Sequence, residues 1–170
     1  MAAEFDWIFF VTLALISASV IDDLRSRKVH NSLVVWIFVL SLAAALLKSG
    51  PSVLMQVLIS MLAAFVFCLP LYKLRALGGG DLKLMVALGP VMAWGTVGWT
   101  LAYSLVWGSI LGLVMVIINR QTADFMRNLT SLAMRNPVPR QQLHKMPYTI
   151  AILLGFLTQA SLAAKGVSLL

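Results

Sequence analysis

The sequence has 170 residues, of which 61% are hydrophobic and 11% charged, and its mean hydropathy is +0.93. This composition excludes an ordinary soluble domain, in which about 25% of the residues are charged. A membrane-spanning helix needs roughly 20 apolar residues, so the length predicts an all-α polytopic membrane protein with about six spans. We expect one membrane-embedded domain over residues 1–170. The net charge of +7 does not predict nucleic-acid binding, because the basic residues are dispersed among short loops.

Six apolar segments follow one another along the chain. The predicted transmembrane helices cover residues 7–21, 32–47, 53–72, 82–94, 101–118 and 147–164. The fourth segment is unusually short, and glycines at 95–98 interrupt the pattern before the fifth. The long polar segment at 120–145 contains Phe125, Leu129, Leu132 and Ala133 at helical spacing. We therefore expect an amphipathic helix on the membrane surface between the fifth and sixth spans.

The distribution of lysine and arginine predicts the orientation of the chain. The first, third and fifth loops hold 11 of the 13 basic residues. These are Arg25, Arg27, Lys28, Lys73, Arg75, Lys83, Arg120, Arg127, Arg135, Arg140 and Lys145. By the positive-inside rule, both termini lie outside the cytoplasm and the odd loops face it, together with the amphipathic helix. Asp22, Asp23 and Asp81 are then expected on the same, cytoplasmic side.

A glycine triplet followed by a carboxylate, Gly78-Gly79-Gly80-Asp81, separates the third and fourth segments. Glycine allows positive φ angles and close backbone approach, and an aspartate at a helix start can cap free N–H groups. Capping alone would make Asp81 a structural residue. An ionisable residue at a membrane span is costly, however, so the alternative is a functional site. The triplet lacks a Walker ending and a Rossmann strand, so we predict no phosphate site.

Two further carboxylates, Asp22 and Asp23, follow the first segment directly, before a basic stretch at 25–28. Taken alone they could be solvated charges at a helix end. Together with Asp81 they permit acid–base chemistry, because two close carboxylates cannot both ionise easily. One then keeps a proton and acts as an acid while the other activates a water as a base. The residues themselves leave open whether Asp22 or Asp23 is the partner.

This pair would hydrolyse a peptide bond without a metal ion or a covalent intermediate, and we expect no cofactor. No other constellation competes with it. His30 and His144 are isolated in loops, Cys68 is a small residue inside an apolar run, and no serine occupies a nucleophile motif. The alternative function is a small transporter or an assembly subunit whose aspartates bind a proton or cation.

Three stretches resemble the prepilin peptidases, a family of membrane aspartyl proteases. The stretch at 78–84 matches their Gly-x-Gly-Asp signature and its Asp-Leu-Lys continuation. The stretch at 23–31 resembles the segment after their first span, with His30 where the family usually has proline. Met146-Pro147-Tyr148 resembles the start of their final span. The resemblance implies a catalytic pair of Asp23 and Asp81, and it selects Asp23 over Asp22.

The resemblance also implies supporting roles and a substrate. Gly78 and Gly80 would bring Asp81 close to the substrate, and Lys83 would modulate the pair electrostatically or serve only as a positive-inside lysine. Larger family members carry a further cytoplasmic region with paired cysteines, which also methylates the product, and nothing here corresponds to it. The chain is therefore similar to the short form that serves the tight-adherence (Flp) pilus. The implied partners are membrane lipid and a prepilin or pseudopilin, whose short basic leader is cut at the cytoplasmic face of the bacterial inner membrane.

Overall fold

A computed structural model describes residues 6–26, 30–74, 77–118 and 148–165, and the regular elements in these ranges are all helices. The helices are α1 Trp7–Ser26, α2 Asn31–Ser49, α3 Leu54–Lys73, α4 Gly79–Leu88, α5 Trp94–Ile118 and α6 Tyr148–Ala164. Short 3₁₀ turns at Pro51–Val53 and Gly89–Val91 precede α3 and follow α4. The all-α prediction is thus confirmed for the described residues. The amphipathic helix predicted within 120–145 lies outside them.

Four of these helices are long and apolar enough to cross a membrane. They are Trp7–Ser26, Asn31–Ser49, Pro51–Lys73 and Trp94–Met115. The last helix, α6, is apolar but has 17 residues. The 10 residues of α4 rise about 15 Å, about half of the hydrocarbon thickness that a span must cross. The described part of the chain is therefore a membrane protein with four candidate spans, and the count of six stays a prediction.

The break in the apolar pattern lies earlier than the sequence indicated. We expected an interruption at 95–98, but α5 runs continuously through these glycines. The chain turns instead at Gly89-Pro90, where proline supplies no N–H and favours the end of α4. Gly98 has a packing role, because a Cβ there would lie 3.3 Å from a ring carbon of Phe67 on α3. The expected break at 95–98 is therefore wrong, because both glycines lie within a continuous helix and Gly98 fits that helix against its neighbour.

The short helix α4 lies in the interior of the bundle. Leu84, Met85 and Leu88 are fully buried in the main hydrophobic cluster. The hydroxyl of Ser41 on α2 donates a hydrogen bond to the backbone carbonyl of Ala87 at 2.6 Å. Apolar contacts and this hydrogen bond hold the helix in place, and Asp81 in its first turn is also buried.

The first and last helices, α1 and α6, pack against each other, and α6 also packs against α5. The rings of Phe9 on α1 and Phe156 on α6 stack with centroids 5.5 Å apart. Gly155 brings α6 into close contact with α5, because a Cβ there would lie 2.6 Å from the carbonyl oxygen of Thr100 and 2.7 Å from the nitrogen of Ser104. The start of α6 is thereby placed beside the end of α1, where Asp23 lies.

Candidate active site

The helix α1 extends to Ser26, so both Asp22 and Asp23 belong to it. Neighbouring residues in an α-helix point about 100° apart, and the two carboxylates accordingly face different surroundings. Asp22 accepts a hydrogen bond from the backbone N–H of His30 at 3.0 Å, and its other oxygen lies 3.0 Å from the His30 ring nitrogen Nδ1. Asp23 is 8% exposed and faces the bundle. Asp22 therefore joins α1 to α2, and Asp23 is available to an interior site.

A threonine from the last helix contacts Asp23. The hydroxyl of Thr149 donates a hydrogen bond to Asp23 Oδ2 at 2.8 Å, and both residues are buried. Thr149 did not emerge from the sequence, although it directly follows the Met146-Pro147-Tyr148 stretch. Its partner is 126 residues away in the chain, so only the packing of α6 on α1 brings the two together.

Asp81 lies in the first turn of α4, three residues after its N-cap, Gly78. The Asp81 carboxylate turns back and accepts a hydrogen bond from the Gly78 N–H, with a nitrogen to Oδ2 distance of 3.2 Å. Asp81 thus satisfies one free N–H of the helix start, as the capping alternative expected. This bond uses one of the two carboxylate oxygens, so capping by itself does not account for the whole carboxylate.

The conformation of Gly78 is ordinary, with φ −76°, and in the described ranges the positive φ belongs to Gly50, at 67°. Gly78 therefore does not use the positive φ that glycine allows, and the approach of Asp81 to a substrate stays a prediction. A Cβ on Gly78 would lie 2.7 Å from Asp81 Oδ2. Glycine is needed there because the carboxylate folds onto the backbone.

The two interior carboxylates interact. Asp81 lies outside the four candidate spans and is 8% exposed. Its pKa is raised to about 6, first because burial disfavours the charged form and second because the nearby Asp23 carboxylate repels a second negative charge. The hydrogen bond from Gly78 opposes this rise. The site therefore places a carboxyl that holds its proton up to about pH 6 beside a second buried carboxyl, an arrangement that allows one to act as an acid and the other as a base.

The remaining predicted residues lie around this pair. Lys83 is exposed and donates a hydrogen bond to Asn31 Oδ1 at 3.0 Å, which ties α4 to α2. The groups that shift the pKa of Asp81 do not include it, and its electrostatic role stays a prediction. Cys68 is fully buried, and His144 lies outside the described residues. Among the described residues, no three His, Cys, Asp or Glu side chains come together as metal ligands.

These features define a class: a helical membrane protein with two buried, interacting carboxylates at the ends of different helices. The model of the type IV leader peptidase family matches residues 8–117, a range that includes both Asp23 and Asp81. The chain belongs to the type IV leader peptidase family, and this membership makes it a protease in general terms and associates it with prepilin leader peptides. No curated protein and no solved structure gives a significant match.

One prediction concerns Gly78. In Gly78→Ala the new methyl group would sit 2.7 Å from Asp81 Oδ2, so the carboxylate must rotate away. We expect leader cleavage to fall by about 10- to 100-fold, since misplacing a reacting group by about 1 Å has this effect. Cleavage of a leader peptide by the purified variant measures it.

The matched control is Gly79→Ala, whose Cβ would be 3.4 Å from a ring carbon of Tyr72 and would meet no aspartate atom within contact distance. It should keep most of its activity. Equal losses in both variants would mean that the close approach at Gly78 is unimportant.

Proposed function

We propose that the chain is an intramembrane aspartyl endopeptidase that removes the short basic leader of Flp-type prepilins or pseudopilins. In this proposal Asp23 is the base and Asp81 the acid. The observation that carries it is the burial of two interacting carboxylates on α1 and α4, within the residues that match the family. Neither carboxylate is engaged by a lysine or arginine in the contacts that the described residues make around it. Both are therefore free to share a proton around a water molecule.

The chemistry follows from the two protonation states. Asp23 takes a proton from the water, whose oxygen forms a bond to the carbonyl carbon, while Asp81 gives its proton to the carbonyl oxygen. The tetrahedral intermediate then collapses: Asp23 passes its proton to the leaving nitrogen as the carbon–nitrogen bond breaks, and a hydroxyl proton of the intermediate returns to Asp81. Each carboxyl regains its starting state, and the net reaction consumes one water.

The location of the site supports a leader as the substrate. The Lys and Arg distribution favours the cytoplasmic side for the loops that flank Asp23 and Asp81. These basic loops would not attract a basic leader. Its positive residues would instead meet the ionised carboxylate or anionic lipid head groups. A single membrane-embedded domain would then suffice for cleavage, without a methyltransferase or zinc-binding region.

The test is cleavage by the purified protein in detergent. A synthetic prepilin with its leader is incubated with the chain in the presence of a chelator, and the new amino terminus is identified by mass spectrometry. We expect a single cut after the leader, insensitive to chelation. A folded protein that leaves the leader intact would favour the transporter or assembly role instead. A cut that the chelator abolishes would refute the two-carboxylate mechanism.

The pH dependence of this reaction follows from Asp81. Its pKa of about 6 lies above the ordinary aspartate value, so the group is protonated below that pH and loses its proton above it. An acid must be protonated to act, so kcat/KM should fall as the pH rises through about 6. The profile is recorded between about pH 4 and about pH 9, with near-ultraviolet circular dichroism at each pH as the control for folding. A constant kcat/KM across this range would contradict the assignment of Asp81 as the acid.

A further inference from the structure

The contact between Thr149 and Asp23 is the structural feature that the catalytic proposal does not use. It joins the last helix to the first through two buried side chains, with a hydroxyl to carboxylate distance of 2.8 Å. A threonine hydroxyl has one proton to donate, and here the carboxylate receives it. Thr149 also lies beyond residues 8–117, the range of the family match.

Contacts with α5 hold the start of α6, where Thr149 lies. The hydroxyl of its neighbour Tyr148 is 3.0 Å from that of Ser104. The Tyr148 ring lies against Gly108, where a Cβ would be 2.9 Å from a ring carbon. About two turns further along α6, Gly155 contacts the backbone of α5. These contacts hold the first turn of α6, so the hydroxyl is presented to Asp23 at a constant place.

The two carboxylates therefore differ in their hydrogen-bond donors. Asp23 receives a hydroxyl from another helix, while Asp81 receives a backbone N–H from its own helix start. A hydrogen bond to a carboxylate favours its charged form, and a fixed donor also fixes the orientation of the acceptor. We propose that Thr149 is a positioning residue, whose hydroxyl fixes the orientation of Asp23 as the base and so leaves the role of the acid to Asp81.

This inference rests on the proposed Asp23–Asp81 pair, and it predicts a specific change in the pH profile. Thr149→Val removes the donor but keeps the branched shape. The acidic limb of the kcat/KM profile, where the base becomes protonated, should move up by about one pH unit. The basic limb should stay, because Thr149 does not contact Asp81. Thr149→Ser retains the hydroxyl and should restore the acidic limb.

Other titratable groups near the pair are accounted for. Cys68 from α3 and Tyr148 from α6 lie within electrostatic reach of Asp81, and ordinary thiols and phenols titrate above the range of an acidic limb. His30, which precedes α2, pairs with Asp22, the residue next to Asp23 in the chain. His30→Gln is therefore measured alongside, and its acidic limb should match that of the parent protein.

The matched control is Thr12→Val on α1. Thr12 is buried like Thr149, but its hydroxyl donates to the carbonyl of Ile8 within its own helix. Its profile should keep both limbs. If the valine variant does not fold, as judged by its thermal unfolding in detergent, the pH profile of Thr149→Ala is measured instead.

The outcomes separate this inference from the proposed function. If Asp23→Asn and Asp81→Asn remain fully active, the catalytic pair itself is refuted. If they are inactive and Thr149→Val loses activity equally at every pH, or keeps the parent profile, the pair stands and the positioning role of Thr149 is refuted. A raised acidic limb that serine restores supports the role.

Discussion

Asp81→Asn and Asp23→Asn should each lower leader cleavage by about 10²- to 10⁴-fold, the contribution expected of a positioned acid or base. Asparagine preserves the size and one acceptor oxygen, so the hydrogen bonds from Gly78 and from Thr149 can still form. It cannot release or accept the proton that the reaction needs. Removing one charge from a repelling buried pair should not destabilise the fold. The measurement is processing of the prepilin in cells, together with cleavage by the purified variants.

Asp22→Asn is the control that the structure provides. Asp22 carries the same side chain one residue away, but it is directed to His30 and is partly exposed. Asparagine can still accept the N–H of His30, so we expect most of the activity to remain. Normal processing in Asp23→Asn together with loss in Asp22→Asn would reverse the assignment. Normal processing in Asp81→Asn would remove the catalytic pair altogether.

A second large effect is expected at Gly155, in stability rather than chemistry. A methyl group there would lie within 3 Å of three atoms of α5, all of them backbone. A flexible side chain could move aside, but the backbone of a helix cannot do so without separating the two helices. Gly155→Ala should therefore lower the free energy of unfolding by about 1 to 3 kcal/mol, and larger side chains by more. Unfolding by sodium dodecyl sulfate in mixed micelles measures it.

Gly112→Ala is the corresponding control on α5. A Cβ at this position has no atom within 4 Å, so the substitution adds no clash and removes the flexibility of a glycine within a helix. It should leave the protein unchanged or stabilise it by up to about 1 kcal/mol. Equal stability of Gly155→Ala and Gly112→Ala would show that α5 and α6 are not in close contact at Gly155.

The loss of Gly155 should also affect the site. The same α6 that Gly155 holds against α5 presents Thr149 to Asp23. A displaced α6 would weaken that hydrogen bond, so the stability and the acidic limb of the pH profile should change together in Gly155→Ala. The packing of α6 against α5 is thus connected to the hydrogen bonding of the Asp23 carboxylate.

Much of the helical architecture could be predicted from local sequence patterns. Runs of apolar residues predict membrane helices because each residue in lipid must satisfy its backbone within its own helix. The helices near 7–26, 31–49 and 54–73 were therefore found within a few residues. The break at 95–98 was predicted wrongly, because a glycine that breaks an isolated helix also permits close packing in a bundle. Gly98 serves packing against Phe67, and local sequence cannot distinguish the two uses.

The sequence by itself determined the membrane class, the helical fold and the residues with the chemistry for a site, namely Asp22, Asp23 and Asp81. It also identified the glycine triplet, through a pattern of four adjacent residues. Only the tertiary structure directed Asp22 to His30 and Asp23 to the interior, explained Gly78 by the carboxylate that folds onto it, and brought Thr149 to Asp23. Charge and hydrophobicity are properties of the residues themselves, whereas burial, orientation and hydrogen bonding at this site depend on helices that are distant in the chain.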